Sequence, residues 1–129
     1  MKAELEHVAI QSYDIQKTLH FYRDVLKLHP IRMLREGTGL IVWFDAGKDR
    51  TIEIFGRNSK TKRSKPVPQY SEAGICHFSL VVSDLEKLKK ELARQGIRFR
   101  EAGIEGCCKQ VFVQGPDNEH IELKQILKP

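Results

Sequence analysis

An internal duplication constrains this chain more than any other feature. The run His7-Val-Ala-Ile-Gln-Ser-Tyr-Asp14 returns as His77-Phe-Ser-Leu-Val-Val-Ser-Asp84, offset by 70 residues. The run Thr51-Ile-Glu53-Ile-Phe55 returns as His120-Ile-Glu122-Leu-Lys124, offset by 69. Self-similarity at a fixed spacing means one supersecondary unit built twice. The chain therefore reads as two modules, about 1–60 and 70–129, joined by the basic, proline-containing segment 57–72. A half-chain of ~60 residues is marginal alone, so the two are expected to fold together as a single domain, 1–129.

Each module reads as strand, helix, then three strands. In the first, 5–11 is a strand candidate and Asp14 a helix N-cap. Ile15, Leu19, Tyr22 and Leu26 share one helical face, and Pro30 forbids continuation. Strands are expected at 31–36, 40–45 and 51–55, with a turn at Gly47-Lys48-Asp49. In the second module, Ile75 to Val82 reads as a strand. Ser83-Asp-Leu-Glu86 has capping-box spacing, Leu85, Leu88 and Leu92 form a buried stripe, and Gly96 is a helix stop. Strands follow near 97–101, 108–113 and 119–126, the last two joined by a turn at 115–118. The fold class is α+β: two βαβββ modules pairing into a cup-shaped, mostly antiparallel sheet.

Composition narrows the function. The chain has 129 residues, 40% hydrophobic and 30% charged, as in a soluble globular domain. No run approaches the ~20 apolar residues of a membrane span, and the first residues lack a signal-peptide core. The three cysteines, two of them adjacent, fit a reduced, cytoplasmic chain better than a disulfide framework. Cys76 and the Cys107-Cys108 pair read as core or strand residues. The net charge of +5 gathers at Arg57, Lys60, Lys62, Arg63 and Lys65. A solvated loop is the plain reading and a clamp for an anionic substrate the sharper one. A basic stripe interleaved with aromatics is absent, so nucleic acid is not an expected partner.

The repeat singles out His7, Glu53, His77 and Glu122. In Ile52-Glu53-Ile54 and Ile121-Glu122-Leu123 the aliphatics point to one face and the Glu to the other. One such histidine is usually structural, and one such Glu is usually the wet face of a half-exposed sheet. Four in matching repeat positions suggest more. If the modules pair about a pseudo-twofold, two imidazoles and two carboxylates converge, a donor set for Zn, Fe, Co, Ni or Mn. His120 shares parity with Glu122 and reads as a surface or supporting group. His20 and His29 carry no assigned role.

At these residues the sequence resembles the vicinal oxygen chelate superfamily, whose best-known type is glyoxalase I. The matching stretches are His7-Val-Ala-Ile, Phe21-Tyr-Arg-Asp-Val-Leu-Lys-Leu28, Ile52-Glu-Ile54, His77-Phe-Ser-Leu and Pro116-Asp-Asn-Glu-His-Ile-Glu-Leu123. The resemblance implies paired βαβββ modules around a divalent metal, held by His7, Glu53, His77 and Glu122, within one chain or across a homodimer. It implies a metal-dependent lyase or isomerase acting on a small hydroxy-carbonyl or thiohemiacetal through a metal-bound enediolate. Glu122 is the first choice of base and Glu53 the second. The presence of Glu53 favours the glyoxalase-like branch, because dioxygenase and fosfomycin-modifying branches typically draw no ligand from that position. Three departures bear on glutathione use: Gln11 where glutathione-dependent members carry Arg, a long connection from Glu53 to His77, and Gly115 where Asp is frequent. The alternative is a non-catalytic drug-binding protein of the bleomycin-resistance type.

Overall fold

In the computed structural model, residues 1–37 and 39–127 are described; Thr38 and the end of the second module, Lys128 and Pro129, lie outside them. The fold is α+β. The chain separates into two compact units, Met1–Ser64 and Lys65–Pro129.

The first unit contains β1 (His7–Gln11), α1 (Ile15–Leu19), a π-helical turn (His20–Val25), β2 (Pro30–Glu36), β3 (Gly39–Asp45) and β4 (Thr51–Phe55). Its sheet has the order β1-β4-β3-β2. β1 runs parallel to β4, and the other pairings are antiparallel. The second unit contains β5 (Phe78–Val81), α2 (Leu85–Arg94), β6 (Phe99–Ile104), β7 (Cys108–Gln114) and β8 (His120–Ile126), ordered β5-β8-β7-β6. Again the first and last strands are parallel and the rest antiparallel.

Alternation within the strands builds both cores. Val42, Phe44, Ile52 and Ile54 are buried on one face of the first sheet, and Tyr22 from the π turn packs on Phe44 with ring centroids 6.1 Å apart. Val111, Val113, Ile121 and Leu123 do the same in the second, beneath Leu85 and Leu92 of α2. Removing a methylene-rich side chain from such positions costs about 2–5 kcal/mol.

Several expectations need correction. The first helix is not regular to its end: the Leu26 amide donates to the Phe21 carbonyl, five residues back. This wider turn buries the adjacent Phe21 and Tyr22 together. The strand expected from Ile75 begins only at Phe78. β5 is an edge strand paired with β8 alone, the ladder does not extend back to Ile75, and Ile75 is exposed. The cap of α2 is Asp84, not Ser83; its carboxylate accepts from the Lys87 amide, just as Asp14 accepts from that of Lys17. Cys108 is buried but Cys107 is exposed, Cys76 is half-buried, and all three are free. The stop at Gly96 is as expected: at φ +71° it lets its own amide reach the Ala93 carbonyl and that of Ile97 reach Leu92, the paired bonds that close a helix C-terminus. No helix among the described residues is long and apolar enough to cross a membrane.

Candidate metal centre

The parallel pairing of first and last strands is what brings each histidine to its glutamate. In the first unit β1 lies beside β4 with Ala9 opposite Glu53 and His7 one pleat away on the same face. His7 Nε2 is 2.9 Å from Glu53 Oε2. In the second unit Ser79 is opposite Glu122, and His77 Nε2 is 3.2 Å from Glu122 Oε2. Both glutamates stand on the sheet face opposite the aliphatic core. Among the described residues no group of three or more His, Cys, Asp or Glu side chains is gathered to hold an ion; each unit offers two donors.

Those spacings suit a cation. Two donors each about 2.0–2.1 Å from one metal, at octahedral or tetrahedral angles, lie roughly 2.8–3.4 Å from each other. The same distance is spanned by one shared proton, so each pair holds together without a metal.

Each pair also has outer partners of the kind that orient metal ligands. His7 Nδ1 is 2.6 Å from Glu6 Oε1, and the Trp43 indole N–H donates to Glu53 Oε1. His7 therefore faces a carboxylate at each ring nitrogen. Its pKa is raised, chiefly by the hydrogen bond to Glu6, against desolvation and with help from the charge of Glu53. His77 is held differently. The Gln69 side-chain amide meets its Nδ1 at 2.8 Å, a group that donates to the ring in one orientation and accepts from it in the other, and the Ser79 hydroxyl donates to Glu122 Oε1 at 3.1 Å. His77 is flanked edge-on by Phe112, centroids 5.3 Å apart, and by Tyr70 at 6.3 Å. The second pair is the more sheltered: the side chains of His77 and Glu122 are 24% and 9% exposed, against 44% and 15% for His7 and Glu53.

The supporting residues Glu6, Trp43, Gln69 and Ser79 were not singled out by the sequence. Trp43 carried a signal in the repeat, since it aligns with Phe112 opposite the respective glutamates, whereas Ser79 aligns with Ala9 and is not marked by it. Gln69 carried none, lying in the connecting segment. His120 is half-buried and donates from Nε2 to the Val67 carbonyl at 2.7 Å. His20 pairs with Asp24, one turn on, outside either candidate pair.

Two departures acquire structural meaning. The Gln11 side chain donates to the carbonyls of Phe55 and Gly56 at 3.2 and 2.9 Å, tying down the exit of β4. Gly115 makes room for the Glu119 carboxylate, which a Cβ there would meet at 2.2 Å and which accepts from the Asp117 amide.

Comparison with known families agrees with this architecture. Residues 4–123 match the model of the Glyoxalase/Bleomycin resistance protein/Dioxygenase superfamily, and the chain belongs to that superfamily. Among solved structures it is similar to the glyoxalase family protein from Enterococcus faecalis, at 27% identity and a TM-score of 0.71 over 94% of this chain and 96% of that one. It shares the fold of the trypanothione-dependent glyoxalase I of Leishmania major, at 19% identity, TM-score 0.71, over 96% and 87%. It also shares that of the fosfomycin resistance protein FosX of Listeria monocytogenes, at 17% identity, TM-score 0.68, over 98% and 96%. No curated protein matches the chain significantly.

Proposed function

We propose that this protein is a metal-dependent lyase or isomerase of the glyoxalase I-like type, acting on a small hydroxy-carbonyl or thiohemiacetal substrate. His7, Glu53, His77 and Glu122 would hold one divalent ion, two donors from each unit, within one chain or across a homodimer. The observation that carries the reading is the pair of imidazole–carboxylate contacts at repeat-equivalent positions, each at the spacing of neighbouring metal ligands. When bound, such an ion polarises a carbonyl and acidifies the adjacent C–H.

Glu122 is the better proton carrier of the two glutamates. Its Oε1 faces the Ser79 hydroxyl, which can turn from donor to acceptor when a proton arrives. Glu53 Oε1 faces the Trp43 indole, a donor only, so a proton placed there finds no lone pair. Glu53 thus serves to hold, and Glu122 to move, the proton between adjacent substrate carbons. Ser79 and Gln69 keep Glu122 and His77 in place while this happens.

Metal content and turnover of a methylglyoxal–glutathione adduct test the reading. The wild type is expected to retain a stoichiometric divalent ion and to lose turnover when it is stripped. Glu122→Gln should keep the fold and lose turnover, and His77→Ala should lose the metal. A wild type with only trace metal overturns the proposal. A drug-sequestering protein would instead bind its ligand with the metal removed. Mixing His7→Ala with His77→Ala chains separates the two assemblies: a site shared across a dimer regains about a quarter of its occupancy, and a site within one chain regains none.

A further inference from the structure

We infer that Arg57, Arg63 and Tyr13 form a binding site for a small-molecule oxyanion, a phosphate or carboxylate group. The guanidinium carbons of Arg57 and Arg63 lie 4.6 and 4.2 Å from the centroid of the same Tyr13 ring. Two like charges drawn to one aromatic ring repel each other, and among the described residues neither has a carboxylate partner. The sequence supplies none nearby: from Phe55 to Ser71 there is no acidic residue. Residues 1–64 carry twelve Lys and Arg against eight Asp and Glu. Four of those twelve are Arg57, Lys60, Lys62 and Arg63, so the whole surplus of the unit sits in this loop.

The loop is built to hold that charge still. The Gln11 amide fixes the carbonyls of Phe55 and Gly56 immediately before Arg57. Between the two arginines, the Asn58 amide donates to Thr61 Oγ1 at 3.1 Å, the Thr61 amide to the Asn58 carbonyl at 3.1 Å, and the Lys60 amide to Asn58 Oδ1 at 2.8 Å. This closed turn reverses the chain and returns Arg63 to the ring that Arg57 already covers. A guanidinium held over a ring still has N–H groups to offer a planar or tetrahedral oxyanion. Arg57 is four residues beyond Glu53, an extended reach of about 13 Å, so one small molecule can place an anionic end here and its other end near Glu53. One ring with two arginines suits a single anionic group rather than a polyanion, which needs a row of such contacts.

The site does not depend on a metal, so the test uses metal-stripped full-length protein at low salt. The Nε–H resonances of Arg57 and Arg63 are followed while methyl phosphate, or acetate in a parallel series, is added. Both resonances are expected to shift and saturate in the millimolar range, and the tighter of the two ligands identifies the anion class. Arg57→Gln, Arg63→Gln and Tyr13→Ala should each weaken binding about tenfold. Tyr13→Phe, which keeps the ring, and Lys48→Gln, which removes the same charge elsewhere, should stay within about twofold. Shifts that never saturate overturn the inference. So does a Lys48→Gln effect equal to that of Arg57→Gln, or a single-stranded oligonucleotide whose affinity grows with its length and exceeds that of both small anions.

Discussion

The two units use one scaffold to hold one kind of pair in two ways. In the first, His7 lies between two carboxylates, Glu6 and Glu53, and Glu53 takes a fixed indole N–H from the central strand β3. In the second, His77 lies between an amide and a carboxylate, and Glu122 takes a rotatable hydroxyl from the edge strand β5. The supporting donor has crossed from one flank of the glutamate to the other. Ala9 cannot do in the first unit what Ser79 does in the second, and Phe112 cannot do what Trp43 does. Duplication preserved the contacting atoms and released the groups behind them; in the proposed function one half grips and the other adjusts.

The sharpest break of that comparison comes from the glutamates. Glu122→Gln is expected to lower kcat by about 10²–10⁴-fold, the range of a lost general base, with metal retained. Glu53→Gln should act mainly on metal affinity, read by chelator competition. Equal losses of turnover at equal metal occupancy would refute the division of labour.

The donors behind them come next. Trp43→Phe should weaken metal binding about tenfold, as loss of an outer partner does, with turnover of the loaded protein little changed. Ser79→Ala should lower turnover of the loaded protein by a similar factor and affect affinity less.

A smaller effect separates the histidines. Glu6 raises the pKa of His7, so His7 holds its proton to higher pH than a free imidazole. The stability this lends is complete below the unfolded pKa and is lost as pH rises through the folded one. Glu6→Gln should move the His7 titration midpoint to lower pH in NMR spectra of metal-free protein. The least effect belongs to Asp24, whose pKa is lowered to about 2, first by its hydrogen bond from Arg23 and then by His20. Its contribution is present above the ordinary Asp pKa and lost as pH falls toward about 2. Asp24→Asn should flatten acid denaturation in that window alone.

What the sequence disclosed is what strand periodicity records. Glu53 and Glu122 stood out because residues on either side of each had to face a core, and the histidines stood out because the repeat returned them. That each histidine meets its own glutamate follows from the parallel pairing of the first and last strands, a long-range closure that no local pattern encodes. The π turn was hidden because its buried positions also satisfy an ordinary helical period. Gln69 was hidden because segment 57–72 read as a boundary, whereas it supplies the group behind His77. The cap of α2 was misplaced by one residue because Ser83 and Asp84 are both good capping residues, and only backbone geometry chooses between them.

The strip running from Val67 to Gln69 grips the second unit at two points, His120 and His77. Anyone dividing the gene into halves should therefore cut ahead of Lys65. A fragment opening at residue 70 would leave behind the backing of its own histidine, while one opening at 65 carries it along. By that measure the connecting stretch is an inheritance of the second copy, not a neutral spacer between twins.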